Sequence, residues 1–413
     1  MDKKALFIIL DGLGDNPIKE LGNKTPLEAA NKKNIDKLCR ESECGIVDVV
    51  GPGLVPGSDT GHLSLLGYEI KKYYIGRGVF EALGSDIRLE EGDIAFRINF
   101  ATVDDNLIIR DRRIGRNDYG LEEIIREFNE KIEKIEKEYG IKIIIKKGVE
   151  HRGVMVIKGL ESEKVIENDE HKDNVKVKEI EPLDSKSKIT ADVLNKIIKE
   201  FHEFSEKHRI NKERREKNLP KINYILIRGS SKYKKLDEKE LFQNRFNCKA
   251  LFLANPPMYL GVAKYVGIDT YRPLGSNGTA NENIFTYYES AIAKKSKYDI
   301  IFIHLKGTDS LSHDKKPIEK MKFINRVDEE LIKRIKDEFD VIAITGDHTT
   351  SSILGRHTSD PVPIMIYSEN ARKGFVKNFS ERKCVKGTLG RIRGLDVIKI
   401  VLDKIDKYIM AGT

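Results

Sequence analysis

Six consecutive apolar residues, Ala5-Leu-Phe-Ile-Ile-Leu10, run without a polar break and stop at Asp11-Gly12. Strict alternation would describe a strand with one wet face, whereas a short continuous run describes a strand covered on both faces. Two further runs repeat the design. Residues 300–303 lead into His304-Leu-Lys306-Gly-Thr-Asp309-Ser-Leu-Ser-His313, and residues 341–344 lead into Thr345-Gly-Asp347-His348-Thr349, with Gly355-Arg-His357-Thr-Ser-Asp-Pro361-Val-Pro363 just behind. Strand candidates at 5–10, 45–50, 224–228, 249–254, 300–304, 341–345 and 363–367 alternate with helical stretches at 26–39, 258–266, 283–295, 317–338 and 395–409. That alternation predicts an α/β fold, a mostly parallel sheet sandwiched by helices.

Ligands of such sheets collect outside the carboxyl ends of the strands, where this chain places its carboxylates and histidines. Asp309 and His313 are four apart, so one helical turn puts both on one face. Asp11, Asp309, His313, Asp347, His348 and His357 then make an oxygen and nitrogen ligand set large enough for two divalent ions, and paired ions suggest phosphoryl chemistry. A Gly/Pro-rich loop, Gly51-Pro-Gly-Leu-Val-Pro56-Gly-Ser58-Asp59-Thr60-Gly61-His62, leads into an apolar stretch of helical spacing. Ser58 reads as the helix N-cap, its hydroxyl at the positive end of the helix where an anion is favoured, and so as a nucleophile.

The ordered set (the Asp11 strand end, the Ser58 loop with Gly61-His62, Asp309-x-x-x-His313, Asp347-His348, and His357 with Pro361-Val-Pro363) resembles the alkaline phosphatase superfamily. Within it the chain is most similar to the archaeal type of cofactor-independent phosphoglycerate mutases. The resemblance covers roughly residues 1–85 and 225–413. It implies an alkaline-phosphatase-like fold and one metal held by Asp309, His313 and His357. A second metal would be held by Asp11, Asp347, His348 and the Ser58 hydroxyl. Manganese, zinc or cobalt are the expected ions, with magnesium also accommodated, and no 2,3-bisphosphoglycerate is required. Ser58 would take the phosphoryl group of 3-phosphoglycerate and pass it to the other hydroxyl of glycerate, a step of glycolysis and gluconeogenesis. The same metals and serine would also serve a phosphomonoester or phosphonate hydrolase that admits water. A non-catalytic phosphometabolite-binding protein would be the expectation only if one of the seven metal-site positions were missing.

Composition changes after about residue 85, which predicts a core domain of residues 1–85 and 223–413 and a smaller inserted α/β domain of residues 86–222, and the resemblance implies that this inserted domain clamps substrate. Arginine forks suit phosphate and carboxylate, and Arg112, Arg113, Arg116 and Arg152 stand at turns and strand ends of this region, with Arg228 at a strand end just past it. His151, beside Arg152, suits an acid/base role on the glycerate hydroxyls. His62, Lys264 and Lys306 complete the candidate substrate contacts. Residues 121–139 and 191–217 are helical by spacing and residues 161–188 read as an exposed loop, while His171, His202 and His208 read as surface residues. The basic cluster at residues 207–215 is interleaved with acidic residues and lacks stacking aromatics, so it reads as a solvated helix face rather than a nucleic-acid contact.

The net charge of +8 is spread over 74 basic and 66 acidic residues, which allows mild attraction to anionic metabolites. Cys39, Cys44, Cys248 and Cys384 lack the spacing of structural zinc sites and read as reduced, mostly buried thiols of a cytoplasmic protein. No run of about 18 apolar residues occurs, so no membrane partner is expected. The expected partner is a small phosphorylated metabolite, and a homo-oligomer stays open.

Overall fold

The computed structural model describes residues 2–408 and 410. The chain divides into two compact units, residues 1–74 with 236–413, and residues 75–235. The division therefore falls outside the limits of 85/86 and 222/223 read from composition. Its physical cause is strand pairing: Tyr224–Lys232 lies antiparallel to Ile94–Val103, and the helix Arg77–Gly84 packs on both. The apolar run at 224–228, expected in the large sheet, thus belongs to the second unit. Its burial is the same in either sheet, so the pattern of apolar residues does not name its partner.

The first unit is built on an eight-stranded sheet in the order Asp269–Tyr271, Ala250–Leu253, Ile300–Leu305, Ala5–Leu10, Val341–Thr345, Val362–Ser368, Ser42–Asp48 and Gly390–Arg393. The first five are parallel, Val362–Ser368 is antiparallel to both neighbours, and the last two are parallel to one another. Ala5–Leu10 is fully buried along its length, as its unbroken apolar sequence requires. Leu6, Ile8 and Leu10 share a core with Ile35, Leu38, Tyr287, Phe323 and Leu331 from helices on one side. Phe7, on the other face, meets Phe302, which in turn meets Phe242 and Phe252. The helix expected at 26–39 is interrupted, as Pro26–Ala29 and Lys33–Cys39, whereas that expected at 317–338 runs from Pro317–Val327 through a wider π turn at Asp328–Ile332 into Lys333–Ile335. The last helix is Gly394–Asp403, and Ile409, its expected end, lies outside the described residues. Register decides what happens at the carboxyl edge. Leu10 pairs with Leu305 and Ile9 with Thr345, so Asp11, Lys306 and Gly346-Asp347 leave three adjacent strands at one level.

The second unit is antiparallel throughout. Ile94–Val103 lies between Arg152–Lys158 and Tyr224–Lys232, with Lys142–Lys147 beyond and Ile109–Asp111 at its far end. Leu121–Lys131, Glu133–Tyr139 and Lys188–Glu206 bury apolar stripes on one face of this sheet. The helix Arg77–Gly84 contributes Val79 and Ala82 to a smaller cluster with Ala95, Val154 and Val156. Residues 161–188 are less of an open loop than their charge suggests, because Val165–Ile166 pairs with Glu181–Pro182 and both Asn168 and Asp169 are buried. The basic helix Arg209–Glu216 is not wholly a solvated face either. Arg214 is fully buried and donates to the carbonyls of Pro220, Asn117, Tyr119 and Ile114. Among the described residues no helix is long and apolar enough to cross a membrane.

Candidate functional site

Each metal-ligand candidate of the first unit is delivered by a strand end or by the turn after it. Asp11 follows Ala5–Leu10, and Asp347 and His348 follow Val341–Thr345. The helix Gly307–His313 begins just beyond Leu305 and carries Asp309 and His313 one turn apart. His357 sits opposite Thr350 in the hairpin of Thr349–Ser351 and Arg356–Thr358. Ser58 is the first residue of the helix Ser58–Leu65, and the N-cap is Gly57 rather than the expected Ser58. The reason is Thr60, whose hydroxyl accepts from Gly57 N and donates to Gly57 O, which frees the Ser58 hydroxyl. Gly61 allows this helix to approach: a Cβ there would lie 2.5 Å from the Asp347 carbonyl oxygen.

Donor atoms of Asp11, Asp347 and His348 lie within 4.8 Å of one another, and so do those of Asp309, His313 and His357. In the first set, His348 Nε2 lies 3.2 Å from Asp11 Oδ1, 3.3 Å from Asp347 Oδ2 and 3.1 Å from Ser58 Oγ. The other oxygen of each carboxylate is already engaged. Asp11 Oδ2 accepts from the Tyr259 hydroxyl, His304 Nε2 at 3.0 Å and Lys306 Nζ at 2.9 Å, and Asp347 Oδ1 accepts from Gly12 N at 3.0 Å. Asp11 Oδ1 and Asp347 Oδ2 remain buried without a hydrogen-bond partner. Oxygens left bare in a dry site are costly unless a cation joins them.

The second set has the same character. His313 Nδ1 faces Gly355 O at 2.8 Å and His357 Nδ1 faces Pro56 O at 2.9 Å, and a carbonyl can only accept, so both Nδ1 atoms carry protons. In the neutral rings the two Nε2 lone pairs then point at each other across 3.2 Å, with Asp309 Oδ1 at 3.3 and 3.4 Å. Three acceptors converging on one point fit a divalent ion of the first transition row. Asp309 raises the His313 pKa, and at His357 burial is outweighed by Asp309 together with the Pro56 carbonyl and Asp11, so that its pKa also rises. Burial would raise Asp309 itself, yet Lys306 and the two histidines hold it well below the usual carboxylate range. The His348 and His357 rings stack with centroids 3.7 Å apart, so the two sets are immediate neighbours.

The remaining candidates of this unit fall close by or stay at a distance. His62 is fully buried, with Nδ1 2.7 Å from Ser58 O, which it supports, and 3.2 Å from Asp347 Oδ2, which it lies beside. Lys306 spans Asp11 and Asp309, 2.9 and 2.5 Å away. Lys264 is half-buried in the last turn of Pro257–Tyr265, the helix that also carries Tyr259. Tyr259 and His304 were not singled out in the sequence. Burial pushes His304 down to about 4, so it is neutral and donates to Asp11. Its place one strand residue before the Leu305 end was the available signal.

In the second unit the arginines gather around few acids. Arg112 donates to Asp169 at 2.8 and 2.5 Å, and Arg228 lies 3.8 Å from the same carboxylate. His171, read as an isolated surface residue, is exposed but lies 3.2 Å from Arg112 and 3.1 Å from Arg228. Arg97 and Arg77 were not singled out. Arg97 is buried, its Nε lacks a hydrogen-bond partner, and burial followed by repulsion from Arg77 lowers its pKa against the pull of Glu81. A charged residue inside the buried strand Ile94–Val103 was its signal. Burial, then Arg152, Arg113, Arg97 and Arg116, push His151 down to about 3. Arg113, Arg116 and Arg152 are exposed. A third cluster, Glu123, Glu127 and His208, has a different character. His208 is buried, not a surface residue. Its Nδ1 accepts from Ile210 N, so Nε2 carries the proton toward Glu127 at 3.1 Å, while Arg209 pairs with Glu123. It is an ion-pair network with no converging lone pairs.

A family model described as 2,3-bisphosphoglycerate-independent phosphoglycerate mutase matches residues 39–211. A relative of that name from Pyrococcus abyssi is 41% identical over 412 residues, covering 98% of each chain. One from Picrophilus torridus is 42% identical over 412 residues, covering 98% of this chain and 99% of the relative. Among solved structures, a Pyrococcus horikoshii protein superposes over the whole of both chains with a TM-score of 0.85 at 36% identity. The cofactor-independent phosphoglycerate mutase of Thermoplasma acidophilum gives 0.67 at 31% identity, covering 98% of this chain and all of the other. These likenesses span both units and bear out the resemblance read from the motifs: the chain belongs to the 2,3-bisphosphoglycerate-independent phosphoglycerate mutase family.

Proposed function

We propose that this chain interconverts 3-phosphoglycerate and 2-phosphoglycerate through a phosphoserine at Ser58. The observation that carries the reading is the position of the Ser58 hydroxyl. It lies 3.1 Å from His348 Nε2 at the first residue of a helix, beside two buried carboxylate oxygens that have no partner. Asp11, Asp347, His348 and Ser58 would hold one divalent ion, and Asp309, His313 and His357 a second. Manganese, zinc, cobalt and magnesium all suit such mixed ligands, and when bound they would neutralise phosphoryl charge and favour ionisation of the serine.

Ser58 Oγ attacks the phosphorus of 3-phosphoglycerate, the bond to the C3 oxygen breaks, and that oxygen takes up a proton. Glycerate stays bound and reorients. Its C2 hydroxyl then attacks the phosphoserine and gives up a proton, which leaves 2-phosphoglycerate and free Ser58. No bisphosphoglycerate enters this sequence. The arginines of the second unit, now including Arg97 and Arg77, are assigned to the carboxylate and phosphate of the substrate, because guanidinium forks suit both groups and the buried Arg97 meets more repulsion than attraction. His151 stays neutral at pH 7, since it is pushed down to about 3, and is assigned to exchange protons with the glycerate hydroxyls.

The test is a coupled assay of manganese-loaded protein with 3-phosphoglycerate and no bisphosphoglycerate, following 2-phosphoglycerate and inorganic phosphate in one tube. Chelator-sensitive 2-phosphoglycerate with little free phosphate is the expected outcome. Free phosphate alone would make the chain a hydrolase on the same scaffold and overturn the reading.

A further inference from the structure

The Thr350 side chain is completely buried and lies between the two ligand sets. Its hydroxyl donates to Asp309 Oδ1 at 2.9 Å and faces His348 Nδ1, also at 2.9 Å. A threonine hydroxyl has one hydrogen. The bond to the Asp309 carboxylate uses that hydrogen, so the imidazole must supply the proton of the other bond. Nδ1 of His348 is therefore protonated. Its Nε2 lone pair is left to face Ser58 Oγ, Asp11 Oδ1 and Asp347 Oδ2. One hydroxyl thus sets the tautomer of a ligand in the first set and the direction of a carboxylate in the second.

The surroundings keep it there. Gly12, with φ +62°, is the residue whose Cβ would collide with the Thr350 hydroxyl oxygen, so the glycine after Asp11 leaves the space that the hydroxyl fills. Thr350 N donates to Gly14 O at 3.1 Å, and its own carbonyl accepts from Lys320 Nζ at 3.2 Å. Backbone and side chain are fixed independently.

We infer that Thr350 is a positioning residue that ties the two metal sites into one unit, so that its hydroxyl supports ion binding at both. This rests on the assignment of both ligand sets to divalent ions made above. A residue serving one site would weaken one binding step on removal, whereas Thr350 should weaken two. Partners of metal ligands typically account for about 10- to 100-fold in affinity.

The experiment is a Mn2+ titration of the full chain, read by the paramagnetic resonance signal of the free ion, on wild type, T350V and T350S. Valine keeps the shape without the hydroxyl, and serine restores the hydroxyl without the methyl group. The expected result is two ions on wild type, both steps weakened by about 10- to 100-fold in T350V, and both recovered in T350S. Turnover should fall in kcat rather than KM. Two wild-type affinities in T350V would overturn the inference, as would loss of a single step. A T350S protein as impaired as T350V would overturn it too, because the methyl packing rather than the hydroxyl would then matter. Thermal unfolding of each metal-free variant separates misfolding from lost ligation. Mutase turnover is assayed apart from the titrations, so wild type that binds two ions without turnover sinks the mutase reading while the isotherms still decide the role of Thr350.

Discussion

At the scale of single residues, the site is distinguished by polar atoms whose partners leave one valence open. Asp11 is the sharpest case: three donors hold Oδ2, and Oδ1 is buried with none. Removing the Ser58 hydroxyl should leave that arrangement standing, because every other ligand retains its own supports. S58A is expected to lose mutase turnover down to background while keeping nearly its full metal content, measured by the coupled assay and elemental analysis of the same sample. Undiminished activity would remove the phosphoserine from the mechanism. Glu282 offers a prediction about pH. It is fully buried, accepts from the Tyr287 hydroxyl at 2.8 Å, and burial pushes it up to about 7 from its usual 4.5. A raised acid binds its proton more tightly when folded. Its contribution to stability is complete below pH 4.5 and is lost as pH rises through 7, an effect of up to about 3 kcal/mol. E282Q should lack that slope, and denaturant midpoints compared at several values between pH 4.5 and 7 will test it. Parallel profiles for the two proteins would rule out the assignment.

At the scale of elements, the active edge is held by ties that no periodicity announces. Lys320, in the first turn of the helix Pro317–Val327, is fully buried and donates to Gly14 O, Asp15 Oδ2 and Thr350 O. It joins the turn after Asp11 to the hairpin that carries His348 and His357. Deleting it leaves the buried Asp15 carboxylate without its cation, with neutral donors such as Ser352 in its place, so K320A should cost about 3–5 kcal/mol and loosen metal binding, measured by denaturation and Mn2+ titration. Unchanged affinity would mean that the two segments hold their positions without it. Lys320 also marks the limit of what the sequence made legible. Asp11, Asp309, His313, Asp347, His348 and His357 stood out because polar residues after continuous apolar runs break a pattern. Ser58 stood out through its Gly/Pro-rich loop, although Thr60 rather than Ser58 secures the helix start. A lysine four residues into an amphipathic helix breaks nothing, and neither does Tyr259 on an apolar helix. Tyr224–Lys232 was legible as a strand and not as to its sheet, because the choice of partner rests on contacts distant in sequence. Arg214 sat in a basic run that reads as solvated, and only the carbonyls of Ile114, Asn117, Tyr119 and Pro220 explain its burial.

At the scale of the whole molecule, the chain leaves the first unit at residue 74 and returns to it at residue 236, and the segment between them has its own core. Its two ends lie side by side: Val79 N donates to Ser231 Oγ at 2.9 Å, and Gly76 packs so tightly on Ser231 that a Cβ would not fit. A continuous segment of about 160 residues buries roughly 70% of its unfolded surface, enough to fold without help. Residues 75–235 expressed alone should therefore unfold in one cooperative transition, with coincident curves from far-UV circular dichroism and tyrosine fluorescence. The arginine cluster adds a second expectation with a definite sign. Arg97 is buried against more repulsion than attraction, so the cluster proposed to hold substrate should destabilise the free unit. An anion that fills the cluster should stabilise it, by about 2.7 kcal/mol at a hundredfold excess over its dissociation constant. R97M removes a buried cation that is held against more repulsion than attraction, with little change in volume. The variant should therefore melt higher than wild type without ligand and gain less from 3-phosphoglycerate, and the same ordering should hold for inorganic phosphate if charge rather than shape dominates. A fragment with non-coincident transitions would show that the inserted unit depends on the rest of the chain. A cooperative fragment whose midpoint ignores both anions would remove the arginine cluster from substrate binding and leave the metal sites to be assessed on their own.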